Sequence, residues 1–390
     1  MKNRILIVGA GPAGLSIARS LAATPTTITI VEKQTEADLV DPSPDGREIA
    51  LTHRSIKILR DFGVWPRIPV DEVFPLREAH VRNGRSPVPL IFDTGRSSTN
   101  RLGSLVSNHM IRRALYEAVA EQGNIDWRTG HSIIAASAGR DAAMVQLDNG
   151  EQLEADLLIA ADSRFSYMRD QVGIGARKNR IGKSMIVCRI QHDRDHGHVA
   201  TEWFDHGQTL ALLPLGPFQS SAVLTLVDGQ ARQLASLPPD ALDEELTRRF
   251  RLRCGTVRTI TRPHVYPLTT TYADRFIGNR VALAGDAAVG MHPVTAHGFN
   301  LGLSGADRIG RLLSQAMARG GDVGDPAILR RYERGHRAAT FPLYQATNAI
   351  AGLFTDERAL ARVARNVAIR VGARLPFARH AVSSMLMQRG

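Results

Sequence analysis

A glycine-rich turn between two apolar segments near the N-terminus constrains the fold of this chain more than any other feature. Residues 4–8 are a short run of branched apolar residues, which is typical of a strand buried on both faces. Residues 12–23 place apolar side chains at helical spacing, and residues 27–31 have the pattern of a second strand. This β-α-β order predicts a parallel pair of strands joined by a right-handed crossover.

The sequence of the turn is Gly9-Ala10-Gly11-Pro12-Ala13-Gly14. In such a turn Gly9 permits the sharp exit from the strand, Gly11 lets the backbone approach a pyrophosphate, and Gly14 lets the helix pack on the sheet. Proline fits the first helical turn because its missing N–H would have no partner there. The free N–H groups at the start of the helix then favour a bound phosphate.

An acidic residue, Glu32, follows the second strand. A carboxylate at this distance from the turn can accept hydrogen bonds from ribose hydroxyls, and it disfavours a ribose that carries a 2′-phosphate. The segment therefore predicts bound FAD or NAD rather than NADP, and the turn alone does not separate the first two.

Composition excludes several classes of function. No apolar run approaches the roughly 20 residues that span a bilayer. The first apolar run is too short for a signal peptide, so we expect a cytoplasmic protein. The net charge is +11, but no nucleic-acid-binding motif accompanies it, so we expect no nucleic-acid partner. Cys188 and Cys254 lack metal-ligand spacing, so we expect buried thiols and no metal site.

Later segments distinguish FAD from NAD. Gly285-Asp286 follows an apolar strand at 281–284, and a second Gly-containing segment begins at Gly298, 12 residues after Asp286. The segments that carry a resemblance to a known family are Asp45 to Leu51, Ser107-Asn108, Asp162-Ser163, Gly285-Asp286, and Pro293 with Gly298-Phe299-Asn300. Together they resemble the FAD-dependent aromatic hydroxylases of the p-hydroxybenzoate hydroxylase type, and within that group the ubiquinone-biosynthesis hydroxylases. The resemblance covers essentially the whole chain.

The resemblance implies an α/β (α+β) fold, with a Rossmann-like FAD-binding domain, a second, smaller β-sheet substrate domain, and C-terminal helices. We expect residues 1–75, 100–182 and 271–340 to form a discontinuous FAD-binding domain. Residues 76–99 and 183–270 would form the substrate domain, because short strand-like runs broken by Gly and Pro fill the second range. Residues 341–390 would form a C-terminal helical segment.

The resemblance also implies which residues bind FAD. Arg47 and Asn108 would hold the pyrophosphate and the flavin edge, Asp286 the ribityl and pyrophosphate region, and Pro293 would lie beside the ring. The full set of expected cofactor-binding residues is Gly9, Gly11, Pro12, Ala13, Gly14, Glu32, Lys33, Arg47, Asn108, Asp162, Gly285, Asp286, Pro293, Gly298, Phe299 and Asn300. No side chain is expected to act as a catalytic acid or base, because the flavin carries the chemistry.

The reaction that the resemblance implies is hydroxylation of the aromatic ring of a polyprenylated quinone precursor, with O₂ as co-substrate and through a flavin C4a-hydroperoxide. NADPH or NADH is the expected transient reductant, but Ser163 stands where the family usually has glycine, which leaves the donor open. Three alternatives also stay open: a hydroxylase of the same fold acting on a small soluble phenol, a flavin-dependent reductase of a prenyl lipid, and a non-catalytic FAD-binding assembly subunit.

The end of the chain is strongly basic. Between Glu357 and Gly390, seven arginines accompany one acidic residue. Val363, Val367 and Val371 recur at every fourth position, so a helix here would have an apolar face and a cationic face. We expect this segment to contact a membrane surface or a biosynthetic complex. An ordinary surface helix packed on the domain is the alternative.

Overall fold

The structure is a computed structural model, and it describes residues 3–84, 86, 89–94, 100–205, 207–250, 254–293 and 297–355. The predicted basic segment from Glu357 to Gly390 therefore lies outside the described residues. The strands are β1 (Asn3–Val8), β2 (Thr26–Glu32), β3 (Glu48–Leu51), β4 (Val73–Leu76), β5 (Glu78–Asn83), β6 (Leu90–Phe92), β7 (Gly103–Ser107), β8 (Ile125–Thr129), β9 (Ile133–Ala138), β10 (Ala143–Leu147), β11 (Gln152–Ala155), β12 (Leu157–Ala160), β13 (Ala176–His192), β14 (Val199–Asp205), β15 (Gln208–Gly216), β16 (Gln219–Val227), β17 (Val257–Thr259), β18 (His264–Ala273), β19 (Ile277–Gly278), β20 (Val281–Leu283) and β21 (Val289–Gly290). The helices are α1 (Pro12–Ser20), α2 (Glu36–Val40), α3 (His53–Asp61), α4 (Asn108–Ala120), α5 (Tyr167–Gln171), α6 (Asp228–Ala235), α7 (Pro239–Arg249), α8 (Gly298–Met317) and α9 (Pro326–Thr355).

The predicted βαβ unit is confirmed, and it forms the centre of a six-stranded sheet in the order β19-β20-β12-β1-β2-β8. β1 pairs in parallel with β2 and β12, and β12 pairs in parallel with β20. β12 is buried along its whole length, which explains its unbroken apolar sequence. Because parallel strands end at the same edge, the residues after β1, β12 and β20 come together there. Those residues include Gly9, Asp162 and Gly285.

Helix α1 packs on this sheet between α4 and α8. It ends at Ser20, three residues earlier than the predicted end at residue 23. Pro25 follows closely, and proline disfavours helical geometry in the residue before it. The hydroxyl of Thr24 instead donates to the Leu21 carbonyl at 2.6 Å and closes the chain reversal into β2.

A large second sheet has the order β21-β18-β13-β16-β15-β14-β5-β6, with β17 beside β13. Helices α6 and α7 cover one of its faces around a separate apolar core. Both predicted thiols, Cys188 and Cys254, are buried in that core, as expected. The sequence pattern predicted strands in this region and missed both helices. The prolines at 238 and 239, followed by Asp240, are the helix-start signal that could have located α7.

Two small antiparallel sheets complete the sheet structure of the described residues. β9, β10 and β11 form one, and the predicted turn at Asn149-Gly150 joins β10 to β11 with Gly150 at φ +88°. β3, β7 and β4 form the other, which packs beside β15 of the large sheet. Within the described ranges, no helix combines the length and the apolar character needed to cross a membrane.

Candidate active site

The glycine turn is shaped by close packing at two positions and by open space at the third. A Cβ atom on Gly9 would lie 2.6 Å from the Ala161 carbonyl oxygen, and one on Gly14 would lie 2.0 Å from the Gly9 carbonyl oxygen. Gly9 also has φ +103°, which favours glycine. In contrast, a Cβ atom on Gly11 would have no neighbour within 4 Å. The backbone at Gly11 therefore borders the space that a phosphate would occupy at the start of α1.

Glu32 lies beneath this turn, at the end of β2. Its carboxylate accepts hydrogen bonds from the backbone N–H of Ala10 at 2.7 Å and of Gln34 at 3.0 Å. The residue is only 8% exposed, so its position is fixed by the turn itself. The neighbouring Lys33 is exposed. Glu32 therefore lies in direct contact with the glycine turn, and its role in binding the ribose stays a prediction.

The Gly285-Asp286 turn packs directly on the first turn of α1. Gly285 has φ +56°, and a Cβ atom there would lie 2.6 Å from the Cβ atom of Ala13. Gly302 of α8 also approaches Gly285. Since a side chain at 285 would separate these elements, glycine is required for the close approach. The two glycine motifs, far apart in sequence, thus form one surface.

Asp286 is held by Arg164, which was not among the expected cofactor-binding residues. The guanidinium donates from Nη2 and Nε to the Asp286 carboxylate at 2.7 and 3.2 Å, and from Nη1 to the Thr269 carbonyl at 3.0 Å. Both side chains remain partly exposed, Arg164 at 29% and Asp286 at 39%. The pair is therefore accessible to a ligand. The only available signal was the position of Arg164 directly after Asp162-Ser163.

The side chains of Asp162 and Ser163 accept hydrogen bonds from the backbone of the residues that follow them. The Asp162 carboxylate accepts from the backbone N–H of Met168 at 3.3 Å, and the Ser163 hydroxyl accepts from that of Phe165 at 3.2 Å. Further along, the fully buried Arg169 donates to the Ala287 carbonyl at 2.9 Å. This second missed arginine ties the segment after β12 to the Gly285-Asp286 turn.

Arg47 and Asn108 meet on a shared partner, Asp45. Arg47 Nη2 lies 2.6 Å from the Asp45 carboxylate, and Asn108 Nδ2 donates to the same oxygen at 2.7 Å. Burial would raise the pKa of Asp45, but the charge of Arg47 and its hydrogen bonds hold that pKa below its usual value. Tyr266 donates to the Asp45 carbonyl at 2.6 Å, and the Arg47 guanidinium lies 5.5 Å from its ring centre. Asp45 and Tyr266 thus complete a cluster that the sequence identified in part.

Among the described residues before α8, Met291, His292 and His297 are buried and Pro293 is exposed. Pro293 lies close before the helix, which starts at Gly298, and Phe299 packs against the main core. The Asn300 amide accepts from the Thr52 N–H at 3.1 Å and donates to the Ala50 carbonyl at 2.8 Å. Its side chain therefore joins α8 to β3. Burial lowers the pKa of nearby His292 to about 4, so this imidazole is neutral at neutral pH.

The face of the large sheet opposite α6 and α7 borders the charged cluster. Ala211, Val223 and Val187 occupy adjacent strands in one cross-strand row, and the row continues to His264 on β18. A Cβ atom on Gly46 would lie 2.9 Å from the His264 ring, so the turn that carries Arg47 packs directly on this end of the row. At its other end the row reaches Glu202 on β14. Three apolar residues therefore lie between an acidic residue and the turn that carries Arg47.

Comparison with known proteins agrees with this geometry. Residues 2–345 match the family of FAD-binding domains. The chain is 42% identical over 390 residues to the ubiquinone hydroxylase UbiM of Neisseria meningitidis, covering 99% of this chain and 85% of that protein. It is 30% identical over 386 residues to the ubiquinone hydroxylase UbiL of Rhodospirillum rubrum, covering 98% and 90%.

The fold also matches a solved structure. The p-nitrophenol 4-monooxygenase PnpA of Pseudomonas putida superimposes with a TM-score of 0.80 at 17% identity, covering 100% of this chain and 99% of that one. The predicted Rossmann-like class is thereby confirmed. The chain belongs to the family of FAD-binding domains, and within it to the FAD-dependent monooxygenases that include the ubiquinone hydroxylases.

Proposed function

We propose that this chain hydroxylates the aromatic ring of a polyprenylated quinone precursor in ubiquinone biosynthesis. The observation that carries the proposal is the convergence of the Gly9–Gly14 turn, the Gly285-Asp286 turn and the Arg47 cluster beside an apolar sheet face. Relatives whose names state ubiquinone hydroxylation match nearly the whole chain. Such a site can hold a flavin at one end and an apolar substrate against the other.

The residues at the sheet edge fit FAD. We propose that its phosphates lie over Gly11 at the start of α1, where the backbone is open and free N–H groups face outward. Glu32 would bind the adenosine ribose, Asp286 the ribityl chain, and Arg47 the pyrophosphate. The other proposed cofactor contacts are Pro12, Ala13, Lys33, Asn108, Asp162, Pro293, Gly298, Phe299 and Asn300, with Gly9, Gly14 and Gly285 shaping the turns.

Bound FAD, reduced by NADPH or NADH, would activate O₂, so that one oxygen atom of O₂ enters the ring and the other leaves as water. The chain itself binds the cofactor, excludes water and positions the ring. Ala211 and Val223 are partly exposed and offer apolar contact to a substrate, while Val187 is buried beneath the Gly46 turn. Such contact suits a prenylated ring, because apolar surface is removed from water when the ring binds.

We also propose the division into domains: 1–75, 100–182 and 271–340 for FAD, 76–99 and 183–270 for the substrate, and 341–390 as the C-terminal segment. The two separate apolar cores support the division between the FAD-binding and substrate ranges. The protein would be cytoplasmic, with peripheral contact at the inner face of the membrane or with a biosynthetic complex. The basic composition after Glu357 supports that contact.

Deletion of the gene and mass spectrometry of the quinone intermediates test this function. The expected result is accumulation of a prenylated precursor that lacks one or more ring hydroxyls, reversed by the wild-type gene and not by a gene carrying Asp286→Ala. An unchanged quinone profile in the deletion strain would rule out the proposal.

A further inference from the structure

The second half of α9 is uncharged and partly exposed. No charged residue occurs from Ala338 to Thr355. Phe341 is 45% exposed and Ile350 is 38% exposed. We call the exposed side chains of this stretch the α9 apolar face: Ala338, Ala339, Phe341, Pro342, Gln345, Ala346, Ala349 and Ile350. Gln345 is its one polar member.

Helical spacing makes these residues one continuous surface. Ala338, Pro342, Gln345 and Ala349 follow one another along the middle of the helix side, at intervals of three or four residues. Phe341 and Ile350 lie at the two edges of this strip. The opposite side of the helix, including Leu343 and Tyr344, is buried against the protein. At about 1.5 Å per residue, the face is roughly 18 Å long.

The preceding turns of the same helix carry exposed positive charge. Arg330, Arg331 and Arg334 are exposed, and no carboxylate pairs with them among the described residues. The one acidic residue of α9, Glu333, is turned inward and accepts from the Phe276 N–H at 2.8 Å. The outward side of α9 therefore changes from cationic to apolar along its length.

We propose that this outward side of α9 docks on the surface of an anionic phospholipid bilayer. The three arginines would meet lipid phosphates, and the α9 apolar face would enter the boundary between headgroups and acyl chains. The proposal rests on the proposed function for its purpose, since a polyprenylated precursor dissolves in that bilayer. It adds a docking surface within the described fold, separate from the basic segment after Glu357.

Other occupants fit the observed charges less well. In a symmetric dimer, α9 of one copy would contact α9 of the other. With the helices parallel, the three arginines would face arginines. With the helices antiparallel, the arginines would face the apolar half of the other helix. An acidic protein would satisfy Arg330, Arg331 and Arg334 but would not account for the uncharged stretch from Ala338 to Thr355. A bilayer surface matches both halves.

Vesicle flotation of the full-length, FAD-loaded protein tests the proposal. Vesicles of phosphatidylcholine alone are compared with vesicles that also contain phosphatidylglycerol, and neither contains a quinone. We expect binding to the anionic vesicles only. Replacing Arg330, Arg331 and Arg334 together by Gln should lower the partition coefficient about 100-fold. The double change Phe341→Ser with Ile350→Ser should lower it about tenfold or more.

Matched controls separate this surface from general effects of charge and apolar content. Arg232, Arg258 and Arg262 are exposed on the substrate side, and replacing them by Gln removes the same charge. Val70→Ser with Phe218→Ser removes exposed apolar side chains of 88% and 51% exposure. Both controls should bind as wild type does, and circular dichroism melting should show all variants folded.

The proposal is overturned if anionic vesicles do not bind the protein, or if the α9 variants float as well as the controls. It is also overturned if light scattering shows a dimer that the Phe341→Ser, Ile350→Ser variant dissociates. Because the vesicles lack substrate and no turnover is measured, failure here is distinguishable from failure of the hydroxylase function. That function would be refuted by the quinone profile instead.

Discussion

Arg164 and Asp286, 122 residues apart in sequence, form an ion pair with a shortest N–O distance of 2.7 Å at the centre of the proposed cofactor site. The pair joins the turn after β12 to the turn after β20. Because Arg164 balances the carboxylate, Asp286 can stand beside an anionic diphosphate without adding net negative charge to the site.

Replacement of Arg164 tests the electrostatic role of this pair. Arg164→Gln should raise the dissociation constant of FAD about tenfold, because it leaves the Asp286 carboxylate uncompensated. Titration followed by flavin fluorescence measures that constant. Arg164→Lys keeps the charge and should lose much less affinity. Equal affinity of wild type and Arg164→Gln would remove Arg164 from the cofactor site.

Substitution of Gly14 should lower stability, whereas substitution of Gly11 in the same turn should weaken FAD binding. Gly14→Ala places a Cβ atom 2.0 Å from a backbone oxygen, so we expect the protein without cofactor to lose several kcal/mol of folding free energy, on the order of 3. Gly11→Ala meets no atom within 4 Å and should leave that free energy unchanged, yet weaken FAD binding at least about tenfold. Thermal melting and FAD titration distinguish the two, and identical behaviour of both variants would contradict the account.

Asn300 should be important for stability through its two backbone partners. Asn300→Ala leaves the buried Thr52 N–H and the Ala50 carbonyl without their side-chain partners, which should cost about 2–3 kcal/mol of unfolding free energy. Gln345→Ala, on the exposed side of α9, is the control and should change little. Denaturant unfolding measures both. If Asn300→Ala had the same unfolding free energy as the wild type, the Asn300 amide would not stabilise the contact between α8 and β3.

Glu202 on β14 should make stability depend on pH. Burial raises its pKa to about 8, from an ordinary value of 4.5. A folded-state pKa above the unfolded one favours folding while the group is protonated, so its contribution is complete below pH 4.5 and is lost as the pH rises through 8. The melting temperature of Glu202→Gln should equal that of the wild type near pH 5 and exceed it by a few degrees near pH 9. A difference in melting temperature between the two proteins that does not change from pH 5 to pH 9 would contradict the raised pKa.

The parts of the structure that could be predicted from sequence are those whose conformation is determined by residues within one short segment. The Gly9–Gly14 turn, Glu32 and the Asn149-Gly150 hairpin each combine a local conformation with a neighbouring strand or helix, and each was located correctly. Pairings across long separations, such as that of Arg164 with Asp286, depend on which strands become neighbours.

Helices α6 and α7 were missed for a related reason. Their segments lie between strand-like runs, which dominated the pattern even though Pro238-Pro239-Asp240 marks the start of α7. Their place is fixed by packing on the large sheet. The Asn300 amide illustrates another limit. The family pattern associates Asn300 with the cofactor, which stays a proposal, but it gave no sign that the Asn300 amide also bonds to the backbone of Thr52 and Ala50.

Incorporation of oxygen-18 tests the central claim most directly. The FAD-loaded protein would be incubated with a short-chain prenylphenol, a reductant and oxygen-18 gas, and the product would be weighed by mass spectrometry. Ring hydroxylation predicts one labelled oxygen atom in each new hydroxyl, with the second atom of O₂ leaving as water, and no product from the Asp286→Ala variant. A product that is reduced or unlabelled would show that the chain is not a ring monooxygenase.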